Sequence, residues 1–195
     1  VTHGWPGSVI EQLKIIGPLT DPTAHGGNAA DAFDVVIPSI PGYGFSDALP
    51  GNAGASDVPR LLNRLMTEVL GYDRYVAHGG DIGGMVVNRL GLEFPERLLG
   101  VHTVEVPEPH AGDLSPDEAE FLRFRAWDIE RYGGYSHEQR TRPLTLAHGL
   151  NDSPAGLAAW IIEKFRDWGD CGRDAESRFT RETLITTASI YWHTR

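Results

Sequence analysis

Cysteine is nearly absent. Cys171 stands alone among 195 residues, so the chain can form neither an internal disulfide nor a Cys-rich zinc site. A reducing, cytoplasmic setting is the expectation. Long apolar runs are missing as well: nothing approaches the roughly 18 residues that cross a bilayer, and the start has no charged segment leading into a signal-type apolar core. Positive charge is scarce, with 17 Lys and Arg against 27 Asp and Glu and a net charge of -10. No basic patch offsets that balance, which excludes nucleic acid and anionic surfaces as expected partners. What remains is ordinary for a folded domain, 41% hydrophobic and 23% charged, and long enough to bury a core without staples. Because the chain opens on Val1 and stops at Arg195 just after an apolar aromatic stretch, a longer gene product is expected.

The pattern along the chain alternates at first and then does not. Val1-Thr2 read as the end of a buried strand, and Ser8 can cap a helix carrying Ile10, Leu13 and Ile16 at helical spacing. Phe33–Ile37 reads as a buried strand stopped by Pro38 and a Pro-Gly turn. Ser56 can cap a helix with Leu61, Leu62, Leu65, Met66, Val69 and Leu70 inward, ended by Gly71. A strand at Tyr75–His78, a helix through Val86, Val87 and Leu90, and a strand over 98–106 complete parallel crossover units, hence an α/β class with a parallel sheet. From Pro107 onward only helices are predicted, at 115–132, 153–168 and 181–192. The expected division is a sheet core over 1–106 and a helical cap over 107–195.

The strongest chemical signal is Gly79-x-Asp81-x-Gly83 between a strand and a helix. Small flanking residues suit a turn too sharp for a Cβ, and the turn lifts its central side chain to the carboxyl edge of the sheet, at a helix N-terminus. A carboxylate there stays ionised and can attack an electrophilic sp³ carbon without first losing a proton. The plainer reading is an Asp that only caps the helix. A second signal, His3-Gly4-Trp5-Pro6, lies one strand-loop-helix module upstream at another carboxyl edge. It resembles the oxyanion loop of the α/β-hydrolase superfamily, with the backbone N–H groups of Trp5 and Ile82 as the pair of donors. His3 itself reads as a loop residue bonding backbone.

Taken with Val36-Ile37-Pro38-Ser39-Ile40-Pro41-Gly42-Tyr43-Gly44-Phe45-Ser46, Thr141-Arg142-Pro143 and 152–161, these segments make the chain resemble the epoxide hydrolases of that superfamily, in the microsomal-type branch. The resemblance runs over essentially all 195 residues. It implies an α/β-hydrolase core with an inserted helical cap. It also implies a two-step hydrolysis, in which Asp81 opens the epoxide to form an alkyl-enzyme ester and a His-activated water cleaves it to the vicinal diol. A cap tyrosine would hydrogen-bond and protonate the epoxide oxygen; Tyr135 matches that position, with Tyr132 its nearest competitor. The acid and histidine that activate water follow the cap in this superfamily, and none of the eight histidines, His193 included, occupies such a place. The second cap tyrosine is likewise expected beyond residue 195, Tyr191 being a weak substitute.

No cofactor is called for. Asp152, Glu163, Asp167 and Asp170 lack the alternation of a calcium loop and read as a solvated face, so no metal is expected. Phe121, Phe124, Trp127, Trp160, Phe165 and Trp168 fall on helical faces and read mainly as cap core, with Trp160 and Phe165 as candidates for lining an apolar substrate pocket. The expected partners are a small apolar epoxide and water, with homo-oligomerisation left open. Two other functions fit part of the pattern: a haloalkane dehalogenase-like hydrolase, against which Ile82 stands where that family usually has a halide-binding Trp, and a non-catalytic piece of the fold.

Overall fold

The computed structural model describes residues 1–51, 53–104, 108–109 and 112–194. The chain forms two compact units, Val1–Glu105 with Ile161–Arg195, and Val106–Trp160.

In the first unit, β1 (Tyr75–Gly79) and β2 (Leu98–Thr103) pair in parallel, with His78 opposite His102 and Gly79 opposite Thr103. Between them runs α3 (Ile82–Glu93), which buries Val86, Val87 and Leu90 as its spacing predicts. Thr2 adds a single parallel bridge to Gly79, its N–H donating to His78 O at 2.8 Å. The strand expected over 98–106 ends at Thr103; Glu105 and Val106 lie outside the described residues, as does His110. The core gathers Ile40, Val58, Leu62, Tyr75, Ala77, Val86, Val87, Leu90 and Leu98. Around it stand α1 (Leu13–Thr20), preceded by the 3-10 turn Val9–Gln12 that Ser8 caps, and α2 (Val58–Arg64).

Three local expectations are corrected here. Phe33–Ile37 is not a ladder strand, and Phe33 is 45% exposed. At the sheet edge the Val1 amino group donates to Val36 O at 2.8 Å, while Phe33 N–H donates to Leu19 O rather than to a neighbouring strand, so no ladder forms along these five residues. Ser56 is not the cap before α2: Gly54 N–H donates to Asp57 Oδ2 at 2.9 Å, and a 3-10 turn over Ala55–Asp57 leads into the helix. Past Arg64 the helix widens into a π turn over Leu65–Val69, which rotates the apolar stripe. Within α2 Leu62 is buried and Leu61 exposed, and at and beyond the widened turn Val69 and Leu70 are exposed.

The second unit holds α4 (Pro116–Tyr132), α5 (Gly134–Thr141), α6 (Pro143–Asp152) and the first half of α7 (Pro154–Trp168). Ser115 and Glu118 form a reciprocal capping box for α4. None of α4, α5 or α6 contains a buried residue, and Phe124 and Trp127 are 56% and 50% exposed, so the expectation of an aromatic core fails for these two. Helical spacing puts them on one face, but burial needs a partner surface that spacing alone does not supply.

The end of α7, with α8 (Arg181–His193), belongs to the first unit. Ile161, Lys164, Leu184, Thr187 and Ala188 are buried there. Among the described residues no helix is long and apolar enough to cross a membrane.

Candidate active site

The turn after β1 has the geometry its sequence demands. Asp81 adopts φ 53 and ψ -127, a left-handed conformation that a non-glycine residue holds only when its surroundings impose it, at a cost of about 1–3 kcal/mol. The surroundings do impose it. A Cβ on Gly83 would collide with the backbone oxygens of Thr2 and His3, so α3 can start this close to the neighbouring segment only with glycine there. Asp81 is left exposed at the N-terminus of α3, where the Ile82 N–H, in the first helical turn, has no partner within the helix.

The His3–Trp5 loop closes on that carboxylate. Trp5 N–H donates to Asp81 Oδ1 at 2.8 Å, across 76 residues of sequence. Gly4 packs so near that a Cβ on it would collide with the Asp81 side chain. The donor expected of Trp5 and the carboxylate expected of Asp81 are therefore in direct contact, and the Ile82 N–H lies one residue on. A charge-assisted bond of this kind is roughly twice as strong as a neutral one.

Four side chains pack on the loop. His3 is 1% exposed; its Nε2 accepts from Ile40 N–H at 3.0 Å, and its Nδ1, which must therefore carry the proton, donates to Gly4 O at 3.1 Å. Burial pushes its pKa down, against smaller opposing effects of the Gly4 bond and the Asp81 charge. With both ring nitrogens committed to backbone, His3 is a structural member of the loop. Tyr191, on α8, donates its hydroxyl to Gly7 O at 2.7 Å. Burial raises its pKa strongly, and the charges of Glu11 and Asp81 add to the rise. Tyr43 stands edge-on to both His3 and Tyr191, at 5.7 and 6.4 Å between ring centres, and burial and the Asp81 charge raise its pKa too. Trp168 meets the Trp5 indole edge-on at 5.9 Å. Sequence reasoning put Tyr191 forward only as a weak acid candidate, and it offered no role for Tyr43. The one signal that could have marked Tyr43 is its place in the Pro-Gly-Tyr-Gly turn.

Of the other predicted residues, Tyr135 and Trp160 belong to the other unit, and Phe165 to the same unit as this cluster. Tyr135 is half-buried in the first turn of α5, in the Val106–Trp160 unit. Its competitor Tyr132 accepts a bond from Arg131 Nε at 3.0 Å and packs edge-on to Trp127. Trp160 is half-buried and closes the same unit. Phe165, in the first unit, meets Phe179 edge-on at 5.1 Å, as a core residue does. An apolar hollow of about 570 Å³ runs along Val1, Val36, Leu62, Val76 and His102, but neither Asp81 nor Trp5 lines it. Among the described residues no three His, Cys, Asp or Glu side chains gather as a metal site.

Comparison with known proteins places this geometry. Residues 1–133 match the family described as alpha/beta hydrolase fold. Over 201 residues the chain is 46% identical to a protein of Stigmatella aurantiaca (strain DW4/3-1) whose name proposes an epoxide hydrolase, covering 100% of this chain and 45% of that one. It is 36% identical over 221 residues to epoxide hydrolase 1 of Oryctolagus cuniculus, covering 100% of this chain and 48% of the rabbit protein. Among solved structures, juvenile hormone epoxide hydrolase from the silkworm Bombyx mori superposes with a TM-score of 0.81 and 32% identity, over 99% of this chain and 50% of that one. The chain thus spans about half the length of the relatives it matches.

Proposed function

Since the chain belongs to the alpha/beta hydrolase fold family, we propose that it carries the nucleophile half of an epoxide hydrolase, with Asp81 opening the oxirane ring to form an alkyl-enzyme ester. The observation that carries this reading is the bond from Trp5 N–H to Asp81 Oδ1 at an elbow that holds the carboxylate exposed. A Ser-centred elbow would need a base to remove a proton first; a carboxylate is already anionic and attacks the less hindered or more polarised ring carbon directly. The C–O bond of the ring breaks as the new ester C–O bond forms, and the ring oxygen leaves as an alkoxide. That alkoxide is a poor leaving group unless it is protonated, and Tyr135 is assigned as the donor. When water then attacks the ester carbonyl, negative charge grows on the carbonyl oxygen, and the N–H groups of Trp5 and Ile82 are assigned to stabilise it. Cleavage returns the Asp81 carboxylate and releases a vicinal diol, one proton of the water passing to the departing alkoxide and the other restoring the Tyr135 phenol. Trp160 and Phe165 are proposed to bound the apolar part of the substrate, and the helices over 107–195 to act as its cap. A cytoplasmic setting and a role in detoxifying small apolar epoxides complete the proposal. The names of the relatives support epoxide hydrolysis, and Ile82 in place of a Trp after the nucleophile favours it over a dehalogenase.

The test uses the whole protein that contains this chain, offered styrene oxide in one reaction and a bromoalkane in another. Diol formation without bromide release is expected, and Tyr135→Phe should slow ester formation by about 10²–10⁴-fold. Bromide release alone would assign the elbow to dehalogenation, and no turnover of either compound would leave a non-catalytic domain.

A further inference from the structure

We propose that the turn over residues 39–46 aims the donor at the nucleophile, with His3 as the positioning residue: Ile40 N–H selects the His3 tautomer, and the proton this leaves on Nδ1 holds the one peptide whose N–H bonds Asp81. The proposal rests on the reading of Asp81 as the attacking group. Gly4 O and Trp5 N–H belong to the same trans peptide, so they point in opposite directions from one plane. His3 Nδ1 donates to the oxygen end at 3.1 Å, and the nitrogen end donates to Asp81 Oδ1 at 2.8 Å. Neither end can swing without the other. The residue before that plane is glycine, whose backbone offers little resistance to such a swing, so the bond at Gly4 O is what keeps this peptide aimed. The aimed N–H in turn restrains the carboxylate from rotating.

The ring that makes this bond is fixed at its far nitrogen. His3 Nε2 accepts from Ile40 N–H at 3.0 Å, and a neutral imidazole carries its proton on one nitrogen only, so accepting at Nε2 makes Nδ1 the donor. Burial disfavours the imidazolium, whose second proton would sit on Nε2 facing the Ile40 N–H. Ile40 N–H is itself presented by a closed turn. Tyr43 N–H donates to Ile40 O at 2.8 Å, Ser46 Oγ to Ser39 O at 2.7 Å, and Phe45 N–H to Ser39 Oγ at 3.3 Å. Ser39 and Ile40 are both buried. A stretch of sequence that places no side chain on the nucleophile's carboxylate thus acts on it through one backbone N–H, one ring and one peptide.

The experiment is a rapid acid quench of the whole protein mixed with styrene oxide, following ester formation by mass in variants that divide the two bonds of His3. In His3→Asn the amide nitrogen reaches the place of Nδ1 and still donates to Gly4 O. In His3→Gln the longer side chain reaches the place of Nε2 and accepts only from Ile40 N–H, and His3→Ala makes neither bond. A donor misplaced by about 1 Å costs on the order of 10²-fold, so the Ala and Gln variants should slow the ester step by about that factor. His3→Asn should recover most of the rate although it leaves Ile40 N–H unpaired and melts lower than the parent. A ring that only fills space would make the rate follow the melting temperature, with Asn no faster than Gln. That result would overturn the proposal, as would ester formation in His3→Ala within about 2-fold of the parent. Should the variants not fold, the imidazole nitrogen resonances of the parent decide: a proton on Nδ1 with Nε2 bare is expected, and a proton on Nε2 would overturn it. If the parent forms no ester on Asp81, the nucleophile reading fails instead, and those resonances still judge the His3 contacts by themselves.

Discussion

The two units of this chain hold their functional candidates by different means. Asp81, in the first, is fixed by contacts that span the sequence: Trp5 bonds it across 76 residues, and Tyr191 braces the same loop across 184. Tyr135, in the second, sits in the first turn of α5, directly after α4, whose own supports are local: the Ser115–Glu118 box and the Arg131 guanidinium over the Trp127 and Tyr132 rings. A nucleophile must meet a carbon at bonding distance and angle, so it needs over-determined backbone; an acid that reaches out along a phenol tolerates a softer platform.

Substitutions can break or sharpen that contrast. Gly83→Ala should do the most damage, because its Cβ has only backbone of Thr2 and His3 to displace; a loss of about 4 kcal/mol or more is expected in denaturant titration, together with loss of activity. A well-folded, active Gly83→Ala protein would show that the elbow is looser than described. Tyr191→Phe removes one donor from the buried Gly7 carbonyl and should cost about 1–2 kcal/mol, with ester formation slowed in step. A variant as stable and fast as the parent would take the brace out of the account. Ser115→Ala should have the smallest effect, about 1 kcal/mol, seen as faster amide exchange in α4 with no change in α3. Equal acceleration in both helices would erase the distinction between the two kinds of support.

Legibility in the sequence follows the same line. The elbow and the His3–Trp5 loop are readable because a sharp turn at a fixed offset from a strand needs glycine at particular positions, and that requirement is local. Helix α4 is readable from its cap for the same reason. Phe33–Ile37 misleads, since its residues suit a strand but a strand exists only where another lies beside it, and its bond to the sheet edge comes from the Val1 amino group. Helices α5 and α6 escape notice because Gly133-Gly134 and Pro143 read as loop punctuation, although Pro143 is well placed in the first turn of a helix. The parts played by Tyr43 and Tyr191 depend on which chain segments fold against the loop, and no spacing rule encodes contacts of that separation.

The central claim is that Asp81 is the attacking atom's owner, and peptide mapping after a rapid acid quench with styrene oxide tests it most directly. The account predicts one adduct, with the mass of the added epoxide, on the peptide containing Asp81, and none in Asp81→Asn. An adduct on another residue, or diol formation undiminished in Asp81→Asn, would contradict it.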